Sequence, residues 1–345
     1  MTRERLVIRL FASDSSSRVY SRGVNRAQVR AFDLMRNFST GTAILALLLG
    51  GFLTFATDSD SMGWQVTFAL IALAVGIPHG ALDHLVSMPR GSRTKLTLFI
   101  VAYVLIALVA VVAIMTWNVL GFYLVVVMSA LHFGIGDTAF LAERDRLHER
   151  PVASRWSQVS YAVAAGSTPV IIPLVNEKST SALAMVNKEL INWHRGADLW
   201  LLRLTLTALI FCIVIQVVTK RNREAFDLFL LGLVALLLPP LVAFAIYFGT
   251  WHALRHTARL TLNLDSSQRA YQRGDLAGAL RAAVFPGLPA LFATIGVSVA
   301  IMYFGGNDIS DDFLWTLLVV IWALTVPHMM VTARLDKEAL AKSSS

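Results

Sequence analysis

The sequence predicts an all-α, polytopic integral membrane bundle of about ten transmembrane helices, and three observations carry that prediction. The chain of 345 residues is 56% hydrophobic and 15% charged, with a mean hydropathy of +0.63. That leaves too few polar residues to cover a soluble globule of this size. Its apolar residues fall into runs of the ~17 to 25 residues that a helix needs to cross a ~30 Å hydrocarbon core. Its Lys and Arg gather in every second connection, as in loops held on the cytoplasmic side.

The elements follow in order. Residues 1–38 hold eight arginines between Arg3 and Arg36 and lack an apolar core. They are expected to form a cytoplasmic tail against anionic lipid rather than a secretory signal. Helices are expected at 40–57, 64–87, 95–117 and 119–141. The run 157–175, interrupted by Pro169 and Pro173, is the least regular, and 198–219 follows it. The apolar stretch after Arg223 is split at Pro239-Pro240, because two prolines remove two backbone donors and suit a turn followed by a helix start. The split gives 223–238 and 240–262, and helices at 282–304 and 313–335 complete the set.

Charge supports the split. Arg90/Arg93/Lys95, Arg144/Arg146/Arg150/Arg155 and Lys220/Arg221/Arg223 follow the second, fourth and sixth helices, whereas Asp58/Asp60 and the acidic stretch 307–312 fall on the opposite side. With ten helices the N-terminus, Arg255 to Arg281 and the tail at 337–345 are all cytoplasmic. Residues 39–336 then form one transmembrane domain in a cell membrane, with 264–281 lying along its surface. The net charge of +8 is explained by these loops and gives no reason to expect nucleic acid as a partner. The single cysteine, Cys212, excludes an intrachain disulfide, a Cys-type zinc site and a thiolate-held iron cluster.

Six of the eight histidines lie in or beside apolar runs, in PHGALDH (78–84), HFGIGD (132–137), WHALRH (251–256) and PH (327–328). Ionisable side chains are costly at membrane depth and are usually functional there. Every patch falls on an even-numbered helix, and His79, His132, His252 and His328 are roughly the 13th to 16th residues of theirs, about 20 to 24 Å from the outer face. Four helices thus present imidazoles at one level, which suggests a metal held by nitrogen and oxygen ligands.

Spacing sorts the candidates. His252 and His256, four apart and about 40° from each other on one helix face, are the strongest ligand pair. His79 and Asp83 share that spacing, whereas His84 points about 140° away from His79 if the helix continues. His132 is the candidate in its patch, and Gly134 and Gly136 allow close packing or a bend beside it. Pro78 and Pro327 each free a carbonyl one turn earlier, which could accept the second nitrogen of an imidazole. Asp83, His84, Asp137 and His328 are expected to orient or support the ligands. Phe133, Tyr247, Phe248 and Trp251 stand next to the ligand candidates and are candidate lining residues of a pocket there. Arg255 and Arg259 are expected to snorkel to headgroups, and His148 and His194 to be solvated.

The ordered set GIPHGALDH, LHFGIGD, WHALRH and VPH, covering about residues 64–335, resembles the Brp/Blh family of bacterial and archaeal β-carotene 15,15′-dioxygenases. The resemblance implies a membrane enzyme that splits the central double bond of β-carotene with O₂ into two all-trans-retinal molecules. It implies a non-haem Fe(II) bound by His79, His132, His252 and His256, which would leave two positions of an octahedral ion open. It also implies a functional link to a retinal-binding rhodopsin. The Arg-rich leader receives no role from it. Two other classes compete. A di-iron hydroxylase or desaturase normally has around eight histidines in HxxxH and HxxHH groups, and one HxxxH is present here. A transporter or proton relay would be favoured by inverted repeats, yet the histidines lie on helices of one direction.

Overall fold

The computed structural model describes residues 25–56, 62–87, 92–305 and 309–341. The Arg-rich leader up to residue 24, Asp58 and Asp60, Arg90 and residues 306–308 lie outside the described residues. Among the described residues every element is helical: α1 Arg26–Ala56, α2 Met62–Gly80, α3 Asp83–Ser87, α4 Arg93–Thr116, α5 Asn118–Leu147, α6 Arg155–Leu174, α7 Ser179–Val186, α8 Asp198–Val218 and α9 Asn222–Leu237. A continuous but irregular segment follows, made of α10 Pro240–Ala245, a π-helical stretch Ile246–His252 and α11 Ala253–Asn263. The chain closes with α12 Asp265–Gln272, α13 Leu276–Ala282, α14 Leu288–Gly305 and α15 Ile309–Ala341.

Each expected apolar run is largely helical, but among the described residues fewer than ten qualify as membrane spans. Six spans are long and apolar enough, or up to seven if α6 and α7, bent by 84°, are one broken span. Of the three or four expected runs outside that set, two fall short for visible reasons. Helix α9 has 16 residues, and the Pro240–Asn263 segment is broken by π-helix and carries Arg255 and Arg259. The Pro239-Pro240 break itself is present, with α9 ending at Leu237 and α10 opening on Pro240. Exposed apolar side chains such as Val109 and Val112 on α4, Leu204 and Phe211 on α8, and Phe292 on α14 give the bundle a lipid-facing surface.

Helix α1 starts at Arg26, within the residues expected as a tail. Its first turns bury Ala27, Ala31, Phe32 and Arg36, and Phe32 stacks on Phe140 of α5 at 5.0 Å between ring centroids. Asp33 on the same turns accepts from Arg144 at 2.9 Å and lies 2.9 Å from His148 Nε2, so His148 is paired rather than solvated. Burial alone would raise the Asp33 carboxyl pKa, but the His148 and Arg144 contacts prevail and hold it below its usual value.

Helices α5 and α6 cross in backbone contact. A Cβ at Gly134 would overlap the Ala162 carbonyl, and one at Gly166 would overlap the Ala130 carbonyl. Only glycine admits that approach, and it fixes the turn of α5 that carries His132. Gly136, by contrast, meets nothing nearer than 3.9 Å.

Candidate metal and carotenoid site

Five imidazoles from separate parts of the chain meet in the core: His79 near the end of α2, His132 on α5, His252 at the end of the π-helical stretch, His256 on α11 and His328 on α15. Ring centroids are 4.9 Å apart for His132 and His252, 5.1 Å for His79 and His256, 5.1 Å for His132 and His328, 5.4 Å for His79 and His328, and 5.4 Å for His256 and His328. His252 and His256 are near-parallel at 5.9 Å, as the i, i+4 spacing requires. All five are at most 7% exposed.

His328, expected as a supporter, stands inside the ring cluster. Its Nδ1 lies 2.9 and 3.0 Å from the two Asp83 oxygens. Tyr103 on α4 donates to the same carboxylate at 3.0 Å. With Nδ1–H donating, His328 presents Nε2 to the other rings, the arrangement in which a carboxylate aims a metal-directed histidine. The partner of His328 is thus a carboxylate and not a carbonyl freed by Pro327. The chain turns at Ala81-Leu82 between α2 and α3, so Asp83 does not continue the face of His79. His84, also past the turn, faces the same cavity with Nδ1 3.1 Å from the Ala81 carbonyl and stays out of the ring cluster.

Polar satisfaction distinguishes these rings from ordinary buried histidines. Among the described residues, His132 Nε2, His252 Nε2, His328 Nε2 and both nitrogens of His256 are buried with no hydrogen-bond partner. Each such atom costs about 1 to 3 kcal/mol. Neutral nitrogens concentrated in this way suit a borderline transition ion such as iron. Among the described residues no group of three or more His, Cys, Asp or Glu side chains is placed so that it could hold a metal ion as it stands. The rings are therefore gathered without being fully aimed.

One turn away lies a layer of buried charge. Arg255 donates to Asp137 at 2.6 Å and pairs with Asp227 at 3.4 Å, and Arg36 pairs with Asp227 at 2.8 Å and Glu224 at 3.1 Å. Arg259 bridges Glu143 at 2.9 Å and Asp336 at 2.6 Å. Neither arginine snorkels: Arg255 is 1% and Arg259 3% exposed. Asp137, expected beside the ligands, instead holds Arg255 and accepts from Tyr161 at 3.1 Å and Trp251 at 3.4 Å.

A cavity of about 300 Å³ opens on four of the rings, His79, His132, His252 and His328, and its remaining wall is mainly apolar. Phe133 and Phe248 line it as expected. Tyr247 and Trp251 do not: both are buried behind it, Trp251 with its ring 3.8 Å under the Arg255 guanidinium. The π-helical stretch explains this sorting. Its extra residue per turn re-phases the helix, so that Phe248 and His252 stack toward the cavity at 6.2 Å while Trp251 turns to the charged layer. Tyr103, Ser129 and Trp322, which also line cavities here, were not singled out by the sequence. Tyr103 carries the one phenol of a largely apolar helix, which was the available signal.

Comparison with known proteins agrees with this geometry. The family described as beta-carotene 15,15′-dioxygenase matches residues 69–336, which include all five clustered imidazoles. A probable beta-carotene 15,15′-dioxygenase Blh from Halobacterium salinarum is 26% identical over 299 residues, 78% of this chain and 84% of that protein. A beta-carotene 15,15′-dioxygenase from an uncultured marine bacterium, 66A03, is 25% identical over 270 residues, 76% of this chain and 90% of that protein. No solved structure matches the chain. The chain belongs to the beta-carotene 15,15′-dioxygenase family.

Proposed function

We propose that this protein cleaves β-carotene at its central 15,15′ double bond with O₂, at a non-haem Fe(II) held by His79, His132, His252 and His256. His328, aimed by Asp83 and Tyr103, supplies a fifth nitrogen to the same space. The observation that carries the reading is the group of buried, unpartnered imidazole nitrogens on the wall of an apolar cavity. Bound iron would supply the centre at which O₂ and the alkene react. The overall balance needs no further reductant: one C40 hydrocarbon and one O₂ give two C20 aldehydes, and the cleaved double bond provides all four electrons.

The protein's own part is binding, aiming and exclusion of water. Phe133 and Phe248 border the rings and offer apolar faces to a polyene. Phe248 can sit there because Gly76 has no Cβ to oppose it. Ile100 and Val104 on α4 line the cavity and are also about half exposed on the lipid-facing surface. An apolar substrate can therefore enter sideways from the bilayer without crossing water.

Expression in a carotene-producing host should bleach the orange pigment and yield retinal, and His252→Ala should abolish both iron retention and cleavage. Persistent β-carotene beside folded, iron-loaded protein would defeat the substrate assignment. Two irons per chain would favour the di-iron alternative.

A further inference from the structure

A second cavity, of about 160 Å³, lies beyond the first and shares six of its lining residues: Leu73, Ser129, Phe133, Phe244, Leu318 and Trp322. The two are thus joined at a waist of three aromatic rings. Past the waist the second cavity runs along α2 to Val66, along α5 to Phe122, and is walled by Ala182, Leu183 and Val186 of α7. Helix α7 is the short helix that turns by 84° from α6, so the break in that span places its side chains across the path.

The dimensions are informative. From His79 to Val66 is about 20 Å at 1.5 Å per residue, and from His132 to Phe122 about 15 Å. A C40 carotenoid is about as long as the ~30 Å hydrocarbon core, so half of it needs about 15 Å. The two cavities together fall within the ~300 to 1,000 Å³ usual for ligand sites. The lining hydroxyls of the second cavity are Ser129 at the waist and Ser179, and Ser179 already donates to the Leu174 carbonyl at 3.0 Å.

Resting on the carotenoid reading above, we propose that the inner cavity receives one whole arm of the substrate, its ring stopped by Ala182, Leu183 and Val186. The depth of the cavity then determines which double bond stands at the imidazoles. The other arm lies toward the lipid opening at Ile100 and Val104. Central cleavage is expected because the reach along α5, about 15 Å from His132 to Phe122, matches half the polyene. The same apolar wall selects an unhydroxylated ring, since a ring hydroxyl there would be buried without an assured partner.

The test uses Ala182→Phe and Val186→Phe in the full-length protein, each shortening the inner cavity. Three readouts are taken: bound iron, β-carotene retained on purification as judged by its visible absorption, and the products. Iron should match the unaltered protein. Retained carotene should fall at least ten-fold, and remaining cleavage should move off centre, giving aldehydes of unequal length. A dihydroxylated carotenoid should be cleaved roughly 10- to 100-fold less efficiently than β-carotene by the unaltered protein. If either variant folds, binds iron and still retains and centrally cleaves β-carotene at the unaltered rate, the inner-arm assignment is wrong. A protein that never cleaves β-carotene refutes the proposed function, and carotene retention by the two variants still decides the cavity.

Discussion

On the segment from Ile246 to Asn263, two ladders of buried polar side chains run side by side. His252 and His256 project into the ring cluster, and Arg255 and Arg259, offset by three residues, project into the charged layer. Burial is nearly equal, at 1 to 4% exposed, yet the two ladders are completed differently. Each arginine meets two carboxylates of the same chain, with Arg255 Nε alone of their nitrogens unpartnered, whereas both nitrogens of His256 and one of His252 meet no partner among the described residues. A charge can be matched internally by an opposite charge. Unpartnered imidazole nitrogens facing one another are matched best by a cation, and this asymmetry is the physical argument for a metal on one side only.

Substitutions can break the comparison, the largest effect first. His256→Ala removes the ring that touches the other four, and should lower iron retention and retinal formation by at least about 10³-fold, measured by elemental analysis and product chromatography, with the helical fold retained. Arg255→Met should do the reverse. It leaves Asp137 without its charge partner and Asp227 with one fewer, and should cost about 3 to 5 kcal/mol, seen as lower thermal stability, while the folded fraction still binds iron. Equal loss of iron in both variants would erase the distinction between the ladders.

Smaller effects sharpen the role of the outer contacts. Asp83→Asn removes the charge that aims His328 and should weaken iron about 10- to 100-fold in a competition titration against a chelator. Unchanged affinity would return His328 to a packing role. Tyr103→Phe deletes one hydrogen bond to that carboxylate and should cost about 0.5 to 1.5 kcal/mol, visible as an iron affinity reduced several-fold.

Much of the architecture was legible in the sequence because lipid imposes it. Apolar run length marked the helices, and Pro239-Pro240 marked the break between α9 and α10. The histidines announced themselves because an imidazole among Leu and Val is anomalous, and Gly134 marked a true close approach. What escaped depends on three dimensions. Spacing could not place His328 inside the cluster, because its ring meets the others across helices. Asp137 and Arg255 are bound to each other from α5 and α11, and neither chain position reveals the partner. The sorting of Phe248 from Trp251 rests on a π-helical stretch that 3.6-residue periodicity does not anticipate. Apolar runs register α9 as readily as the longer helices, so run length alone does not fix the number of spans.

On the proposed function, the unpartnered imidazoles form one metal site at which a carotene is split. The most direct test is to purify the protein in detergent, measure iron per chain, remove it with chelator and restore Fe(II) in the presence of β-carotene and O₂. The account predicts close to one iron per chain, loss of retinal formation on removal and recovery on restoration, with two retinals formed per carotene consumed. Retinal formation that persists at full rate in chelator-stripped protein would contradict it.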